Sequence, residues 1–409
     1  MLKNYLKIAI AVLRRRKFFT FISLFGISFT LTILLVLTAF IDKVVGDNYP
    51  DKKRDRSLYI NKVEQDGKEA MNASGPTYYF LKHFAGSMKT PVDMTIFSDY
   101  HGTNTYINNK KIAVDYKYTD ANYWDILEYD FLEGKAFTKQ QVDNAERVAV
   151  ISEDMKNEYF GDIPSVVGKY IEADNVKYRV TGVVKNIPIT SYMTYSQIYL
   201  PYTVSKTDYK SKAYMGGFMA IILAATKADV PKMRAEYAQI VSRIPVEDKK
   251  MYDHLYSHAE SYIASYVGTG NEKQSGVTLV LTILGSFVFL FMLLPTLNLV
   301  NINITRIMER SSEIGVRKAF GASSRTLVYQ FIVENIILTL LGGIIGLVLS
   351  LIAIEILNHA NLISNLELTI NFTVLFVGLL ICLVFGLLSG VYPAWRMSKL
   401  NVVTALKAQ

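Results

Sequence analysis

Glu313 and Arg317 stand four residues apart with the acid first, the order in which a helical ion pair is favourable. They lie within residues 304–334, ITRIMERSSEIGVRKAFGASSRTLVYQFIVE. Five basic residues (Arg306, Arg310, Arg317, Lys318, Arg325) and three acidic ones (Glu309, Glu313, Glu334) interrupt a region otherwise almost free of charge. Arg310 can reach Glu313 from the other side. Ile304, Ile307, Met308 and Ile314 fall at helical spacing, which predicts an amphipathic helix. Gly321 supplies a stop, and Ser323 or Ser324 can cap the next helix. An exposed ion pair contributes only ~0.2–1 kcal/mol, so stability does not account for this one. Spacing leaves two accounts open: a solvated loop with topology-setting arginines, or a helix built to be pushed by another protein.

Other chemistry is sparse. His83, His101, His254, His258 and His359 are scattered, and no Ser/His/Asp arrangement stands out. His254 and His258 are four apart but lack a third ligand in view, so a surface helix is expected there. Cys382 is the sole cysteine, which excludes an intramolecular disulfide and a cysteine zinc cluster. No G-x-x-x-x-G-K-[ST] phosphate loop occurs; Gly321-Ala-Ser-Ser-Arg lacks the second glycine and the lysine. No catalytic residue, metal site or bound nucleotide is therefore expected in this chain.

The elements that would position the charged block are apolar runs. The net charge of +8 is unevenly placed: residues 42–275 carry 30 basic and 31 acidic side chains, whereas residues 1–17, residues 305–334 and the tail after Trp395 hold 14 basic and 3 acidic ones. Short basic clusters beside apolar runs mark membrane orientation, not a nucleic-acid footprint. Residues 18–41 run for 24 positions without a charge. That is ~36 Å of helix against a hydrocarbon core of ~30 Å. The run is longer than a signal-peptide core, and Leu37-Thr38-Ala39-Phe40 is a poor cleavage site, so an uncleaved span is expected. Further spans are predicted at 276–304, 335–354 and 368–395. The loop at 355–367 has no lysine or arginine, so the positive-inside rule puts both termini and 305–334 inside, and 42–275 outside.

Residues 42–275 are polar and tyrosine-rich. Residues 42–56 are charged and suit a continuation of the first helix as a stalk. Strands are predicted at 57–63, 106–114, 147–151 and 177–184, and helices at 153–160 (closed by Gly161) and 227–244; 246–274 suits a partly helical returning stalk. The result is an α+β domain. In the spans, Pro295 predicts a kink that serves as a hinge or is static. Gly342 with Gly346 and Gly386 with Gly390 are small-xxx-small pairs that allow close helix approach, within a subunit or across a dimer. None of the predicted spans carries an internal charge, which argues against an ion-driven transporter and against a polar path through these helices.

Glu309-Arg-Ser-Ser-Glu-Ile-Gly-Val-Arg-Lys-Ala-Phe-Gly-Ala322 resembles the E-R-x-x-E-I-G-x-R-x-A-x-G-A signature of MacB/FtsX-type ABC transporter permeases. Gly342-Gly-Ile-Ile-Gly346 falls where that family has a glycine-rich third span, and Gly390-Val-Tyr-Pro-Ala-Trp-Arg396 resembles its closing pattern. Val402-Val403 departs from the Asp-Pro often found there. In the outer region Asp120-Ala-Asn-Tyr-Trp, Leu132-Glu-Gly-Lys, Glu158-Tyr-Phe-Gly161, Val166-Val-Gly-Lys169 and Tyr178-Arg-Val-Thr-Gly-Val183 resemble the family's periplasmic core domain.

The resemblance implies an integral membrane α-helical protein with four transmembrane helices and a large α+β extracytoplasmic domain inserted between the first two. It divides the chain into 1–17 (cytoplasmic amphipathic helix), 18–41 (first span), 42–275 (outer domain), 276–304 (second span) and 305–334 (coupling-helix segment). There follow 335–354 (third span), 355–367 (outer loop), 368–395 (fourth span) and 396–409 (cytoplasmic tail). It places Glu309, Arg310, Glu313, Gly315, Arg317, Lys318 and Gly321 in the segment that docks on a separate ABC ATPase dimer, with ATP and Mg²⁺ on that partner. Pro295, Gly342, Gly346, Gly386 and Gly390 become hinge and packing positions. A second permease copy completes the assembly, and a periplasmic adaptor with an outer-membrane channel stays open as further partners. The expected role is a non-catalytic permease in the bacterial inner membrane that exports or extracts a peptide, small molecule or lipoprotein by mechanotransmission. Alternatives are an FtsX-like regulator of cell-wall hydrolases, a signalling receptor, or a membrane-anchored enzyme, for which no catalytic cluster is seen.

Overall fold

The computed structural model describes residues 17–268 apart from 69, 108, 109 and 207, residues 278–290 apart from 288, residues 324–370, and isolated helical positions near both ends. It divides into two compact units: Met1–Lys43 with Leu281–Leu362 and Glu367–Gln409, and Val44–Val280 with Ile363–Leu366.

In the first unit, helix α1 (Lys17–Val45) contains the predicted first span and extends past it at both ends. Among the described residues two stretches, Thr20–Val45 and Ile332–Ala360, are long and apolar enough to cross a membrane, and a shorter apolar helix covers Thr278–Phe287. The helix that includes the second of them, Ser324–Ala360, outruns the expected span 335–354 by six residues at its C-terminal end. Glu355 bounded that span on charge alone, yet charge does not stop a helix; Glu355 pairs with His359 one turn on, at 3.0 Å.

The second unit holds the α+β domain. Its strands are Ser57–Ile60 (β1), Val63–Asp66 (β2), Met71–Pro76 (β3), Asp93–Ser98 (β4), His101–Ile107 (β5), Lys110–Thr119 (β6) and Phe131–Gly134 (β7). Then come Val148–Ser152 (β8), Tyr170–Ala173 (β9), Val176–Val184 (β10), Ile198–Pro201 (β11), Met215–Gly216 (β12), Phe218–Leu223 (β13) and His254–Ser257 (β14). Helices are Tyr78–His83 (α2), Tyr123–Ile126 (α3), Lys139–Asp143 (α4), Glu153–Phe160 (α5), Val230–Val241 (α6) and Tyr262–Val267 (α7); Ser324–Ala360 of the first unit is α8. A mixed sheet runs β1-β13-β4-β6-β11-β8-β10-β7, with β5 on β6 and β9 on β10; a second sheet runs β12-β3-β2-β14. Among the described residues only β10–β8 and β11–β6 pair in parallel. Buried clusters pack around the large sheet: Val114, Tyr116 and Tyr118 of β6 join one, and Phe97 and Tyr123 join another.

Several expectations change. The charged stretch after α1 is not a helical stalk: the helix ends at Val45 and only Arg54–Arg56 forms a 3-10 turn. Residues 57–63 are two strands broken at Asn61–Lys62, because β1 pairs with β13 and β2 with β3 and β14. Residues 106–114 take in the end of β5 and the start of β6, which pair with each other, and are not one strand. His254 lies on β14 and not on a surface helix, since Leu255 and Tyr256 pair with Gln65 and Glu64. Helix α5 has the expected limits, capped by the Ser152 side chain accepting from Met155 N and closed by Gly161 at φ 73°.

The motifs that resembled the family are structural mates. Asp120 accepts from Thr95 Oγ1 (2.6 Å), Ile96 N (2.8 Å) and Tyr123 N (3.0 Å), tying β4 to the start of α3. β10 bulges at Thr181, whose carbonyl takes the Lys135 N–H at 3.0 Å. Gly134 makes room, because a Cβ there would lie 2.1 Å from Thr181 O. Beside it, Glu133 meets Lys156 Nζ at 2.5 Å and accepts from Ser165 Oγ and Val166 N, each at 2.9 Å. Burial raises the Glu133 carboxyl, but these donors outweigh it and hold it below its usual range. Glu133→Gln is expected to cost about 1.5–3 kcal/mol at pH 7, a charged hydrogen bond's share. The deficit should vanish as acid protonates the wild-type carboxylate, since a depressed folded-state pKa contributes stability only above it. Urea unfolding at pH 7 and pH 3 checks both.

Candidate functional site

Within the apolar unit, α1 and α8 meet at the predicted glycine pair. A Cβ on Gly342 would sit 2.7 Å from Ile27 Cγ2 and 2.8 Å from Ile27 Cβ; one on Gly346 would sit 3.0 Å from Leu31 Cβ and from Ser28 O. The missing side chains thus let one helix rest on the other's backbone. Thr32 Oγ1 donates across the contact to Gly346 O at 3.2 Å, while also reaching Ser28 O at 2.7 Å. The pair packs within one chain, one of the two uses its spacing allowed. Pro295, Gly386, Gly390 and all seven ATPase-coupling positions (Glu309, Arg310, Glu313, Gly315, Arg317, Lys318, Gly321) lie outside the described residues.

Two buried charged groups in the outer unit carry geometry that sequence reasoning missed. The first is Arg54, 5% exposed, beside Asp51, 1% exposed. Arg54 Nε donates to Asp51 Oδ2 at 3.2 Å, and Nη1 donates to Val44 O (3.1 Å) and Gly46 O (2.5 Å) at the C-terminal end of α1. These carbonyls have no following turn to satisfy them, so a cation fits. The guanidinium lies 3.6 Å from the centre of the Tyr262 ring on α7. Asp51 Oδ2 also accepts from the Tyr59 hydroxyl on β1 at 2.5 Å. Burial raises the Asp51 carboxyl against the pull of Arg54. Asp51 Oδ1, Arg54 Nη2 and Tyr262 Oη are buried without a hydrogen-bond partner. The only sequence signal was an acid and an arginine three apart just past the first span.

The second group is Lys117 on β6, fully buried. Its ammonium donates to Met193 O and lies 3.5 Å from Tyr192 O, with the Phe97 ring 5.2 Å away. Ser191–Tyr195 form one helical turn, with Thr194 N and Tyr195 N on Ser191 O at 2.9 and 2.8 Å. The next carbonyl, Thr194 O, takes the hydroxyls of Tyr123 (3.1 Å), Tyr129 (2.9 Å) and Tyr199 (3.1 Å). Lysine and three tyrosines therefore cap the open end of a buried turn. That turn in its own right holds α7, since Tyr192 Oη reaches Ser265 O at 3.4 Å and Ser265 Oγ reaches Met193 Sδ at 3.9 Å. Burial pushes the Lys117 ammonium down to about 7. Nothing here is arranged as nucleophile, base or metal ligands; the geometry fastens elements together.

Residues 20–240 match the family model of the MacB-like periplasmic core domain, and residues 285–402 that of the FtsX-like permease C-terminal region. The chain is 26% identical over 292 residues to the pyoverdine export ATP-binding/permease protein PvdT of Pseudomonas fluorescens, covering 71% of this chain and 42% of that one. It is 25% identical over 287 residues to the uncharacterized ABC transporter permease YknZ of Bacillus subtilis, covering 70% and 68%. To the macrolide export ATP-binding/permease protein MacB of Mannheimia succiniciproducens it is 25% identical over 320 residues, covering 77% and 46%. The match thus spans less than half the length of the PvdT and MacB relatives. The periplasmic region of MacB from Actinobacillus actinomycetemcomitans superposes with a TM-score of 0.37 at 13% identity, covering 53% of this chain and 94% of that one.

Proposed function

Because the chain belongs to the MacB/FtsX-like family of ABC transporter permeases, we propose that it is the permease subunit of an exporter driven by mechanotransmission. Four spans hold it in the cytoplasmic membrane, with both termini inside and residues 42–275 outside. A second permease copy and an ATPase dimer complete the machine; ATP and Mg²⁺ reside on the ATPase. ATP-driven closure pushes the segment around Glu313 and Arg317, the spans carry the displacement across the bilayer, and the outer domain changes shape around an extruded peptide, small molecule or lipoprotein.

The observation that supports this over passage between the helices is the α1–α8 contact. It is closed by Ile27 and Leu31 against Gly342 and Gly346, and the hydroxyl of Thr32 is its polar element. A solute path needs polar lining or a cavity at membrane depth; a contact in which a methyl group has no room offers neither.

The test uses the permease with its ATPase in proteoliposomes. Glu313→Arg and Arg317→Glu are expected to cut permease-stimulated ATP turnover about tenfold, a loss of ~1.4 kcal/mol of coupling. ATPase docking and ATP-dependent movement of the outer domain that both stay at wild-type level would remove the coupling role.

A further inference from the structure

We infer that Arg54 is a positioning residue for the coupling stroke: its guanidinium is the joint that locks the segment entering the outer unit to the segment leaving it. The inference rests on the mechanotransmission proposed above and names the place where movement is handed to the outer domain.

One side chain touches both ends of that unit. Toward the entrance it holds Val44 O and Gly46 O, where α1 ends. Toward the exit it stacks at 3.6 Å on Tyr262, in the helix Tyr262–Val267 that precedes the apolar segment Thr278–Phe287. Between them, Asp51 ties the guanidinium to the Tyr59 hydroxyl on β1. β1 itself exchanges backbone hydrogen bonds with Glu260, just before that helix, at 2.8 and 2.9 Å. A displacement of the entering end therefore loads Arg54, and one of the leaving end loads it through Tyr262 alongside the Glu260 pairing with β1.

A purely static core pair is a poor account of this cluster. A buried ion pair stabilises only when its remaining polar atoms are satisfied, and apolar residues of equal volume often do as well. Here Asp51 Oδ1, Arg54 Nη2 and Tyr262 Oη are buried without a partner. Half-satisfied buried networks are costly at rest. The orphaned Asp51 Oδ1 and Tyr262 Oη give the guanidinium, whose own Nη2 is an unused donor, a second pair of acceptors within the same cluster, which is what a two-position joint requires.

The test measures movement and ATP turnover separately, in the full chain with its ATPase in lipid nanodiscs. Cys382 is replaced by alanine, and spin labels are placed at Asp42→Cys and Lys227→Cys. In the wild type, trapping with ATP and vanadate should shift the label distance. In Arg54→Met, ATP turnover should stay within about twofold of wild type, while at least half of the distance shift is lost. A merely structural arginine would lower both together or neither. A full distance shift in Arg54→Met overturns the joint and leaves mechanotransmission standing; no shift in the wild type overturns mechanotransmission and the joint with it. Should Arg54→Met fail to accumulate, Tyr262→Leu, which removes only the stacking face, must give the same split, and a full shift there overturns the joint.

Discussion

Gly342→Leu or Gly346→Leu is expected to destabilise the helix pair by about 3 kcal/mol, the upper end of the usual cost of overpacking, and to deplete the folded permease from membranes. The Cβ alone would meet Ile27 at 2.7 Å and Leu31 at 3.0 Å. Ile27 Cβ itself would lie 2.8 Å away, and Leu31 Cβ and the Ser28 carbonyl 3.0 Å, and none of these moves with a rotamer change, so repacking of side chains cannot relieve the clash. The helices must separate, and in lipid their association rests on close packing and on hydrogen bonds such as Thr32 Oγ1 to Gly346 O. Gly26 on the same helix is the control, because a Cβ there meets nothing within 4 Å. Gly26→Ala should be neutral or stabilising by up to ~1 kcal/mol through helix propensity. Thermal unfolding in detergent reads all three variants. Equal midpoints for Gly26→Ala and Gly346→Leu would show that the contact does not decide stability.

The second large effect is one of pH. Lys117 titrates near 7 in the folded protein because it is buried, against ~10.4 in an unfolded chain. Between those values the unfolded chain binds the proton and the folded one does not, so stability rises with pH across that window. The slope approaches about 1.4 kcal/mol per pH unit for one proton. Below pH 7 both states are protonated and the burial penalty is paid in full. Lys117→Met removes this slope while leaving other titrations in place, so the wild-type minus variant difference isolates it. Urea unfolding of residues 44–280 at pH 7.5 and 9.5 should show the wild type gaining relative to Lys117→Met by roughly 2–3 kcal/mol. Parallel profiles would mean that the ammonium is solvated and does not cap the Ser191–Tyr195 turn in the way its hydrogen bonds to Met193 O and Tyr192 O indicate.

Local signals made part of this legible. Ser152 and Gly161 bracket α5 because a hydroxyl cap and a left-handed glycine are encoded within one turn of the helix they end. The close contact of α1 and α8 was written in a four-residue glycine spacing. Features that depend on distant partners were not legible. Asn61–Lys62 breaks a continuous strand pattern only because β1 and β2 enter different sheets. Lys117 sits on the polar alternation of Val114, Tyr116 and Tyr118, which predicts a solvent-facing side chain. The sheet is covered on both faces there, so the polar face is buried too. Arg54 acquires meaning only when β1 and α7 close over it. The coupling positions proposed around Glu313 lie outside the described residues.

The contact between α1 and α8 also limits how those helices can travel. Gly342 and Gly346 are four residues apart, and so are Ile27 and Leu31, which sit over them. Two matched notches and two matched teeth make a rack. Sliding along the axis would drive Ile27 or Leu31 into the ridge between the notches, which at ~1.5 Å per residue lie about 6 Å apart. Displacements smaller than that spacing must carry both helices together, so at this contact α1 and α8 move as one body.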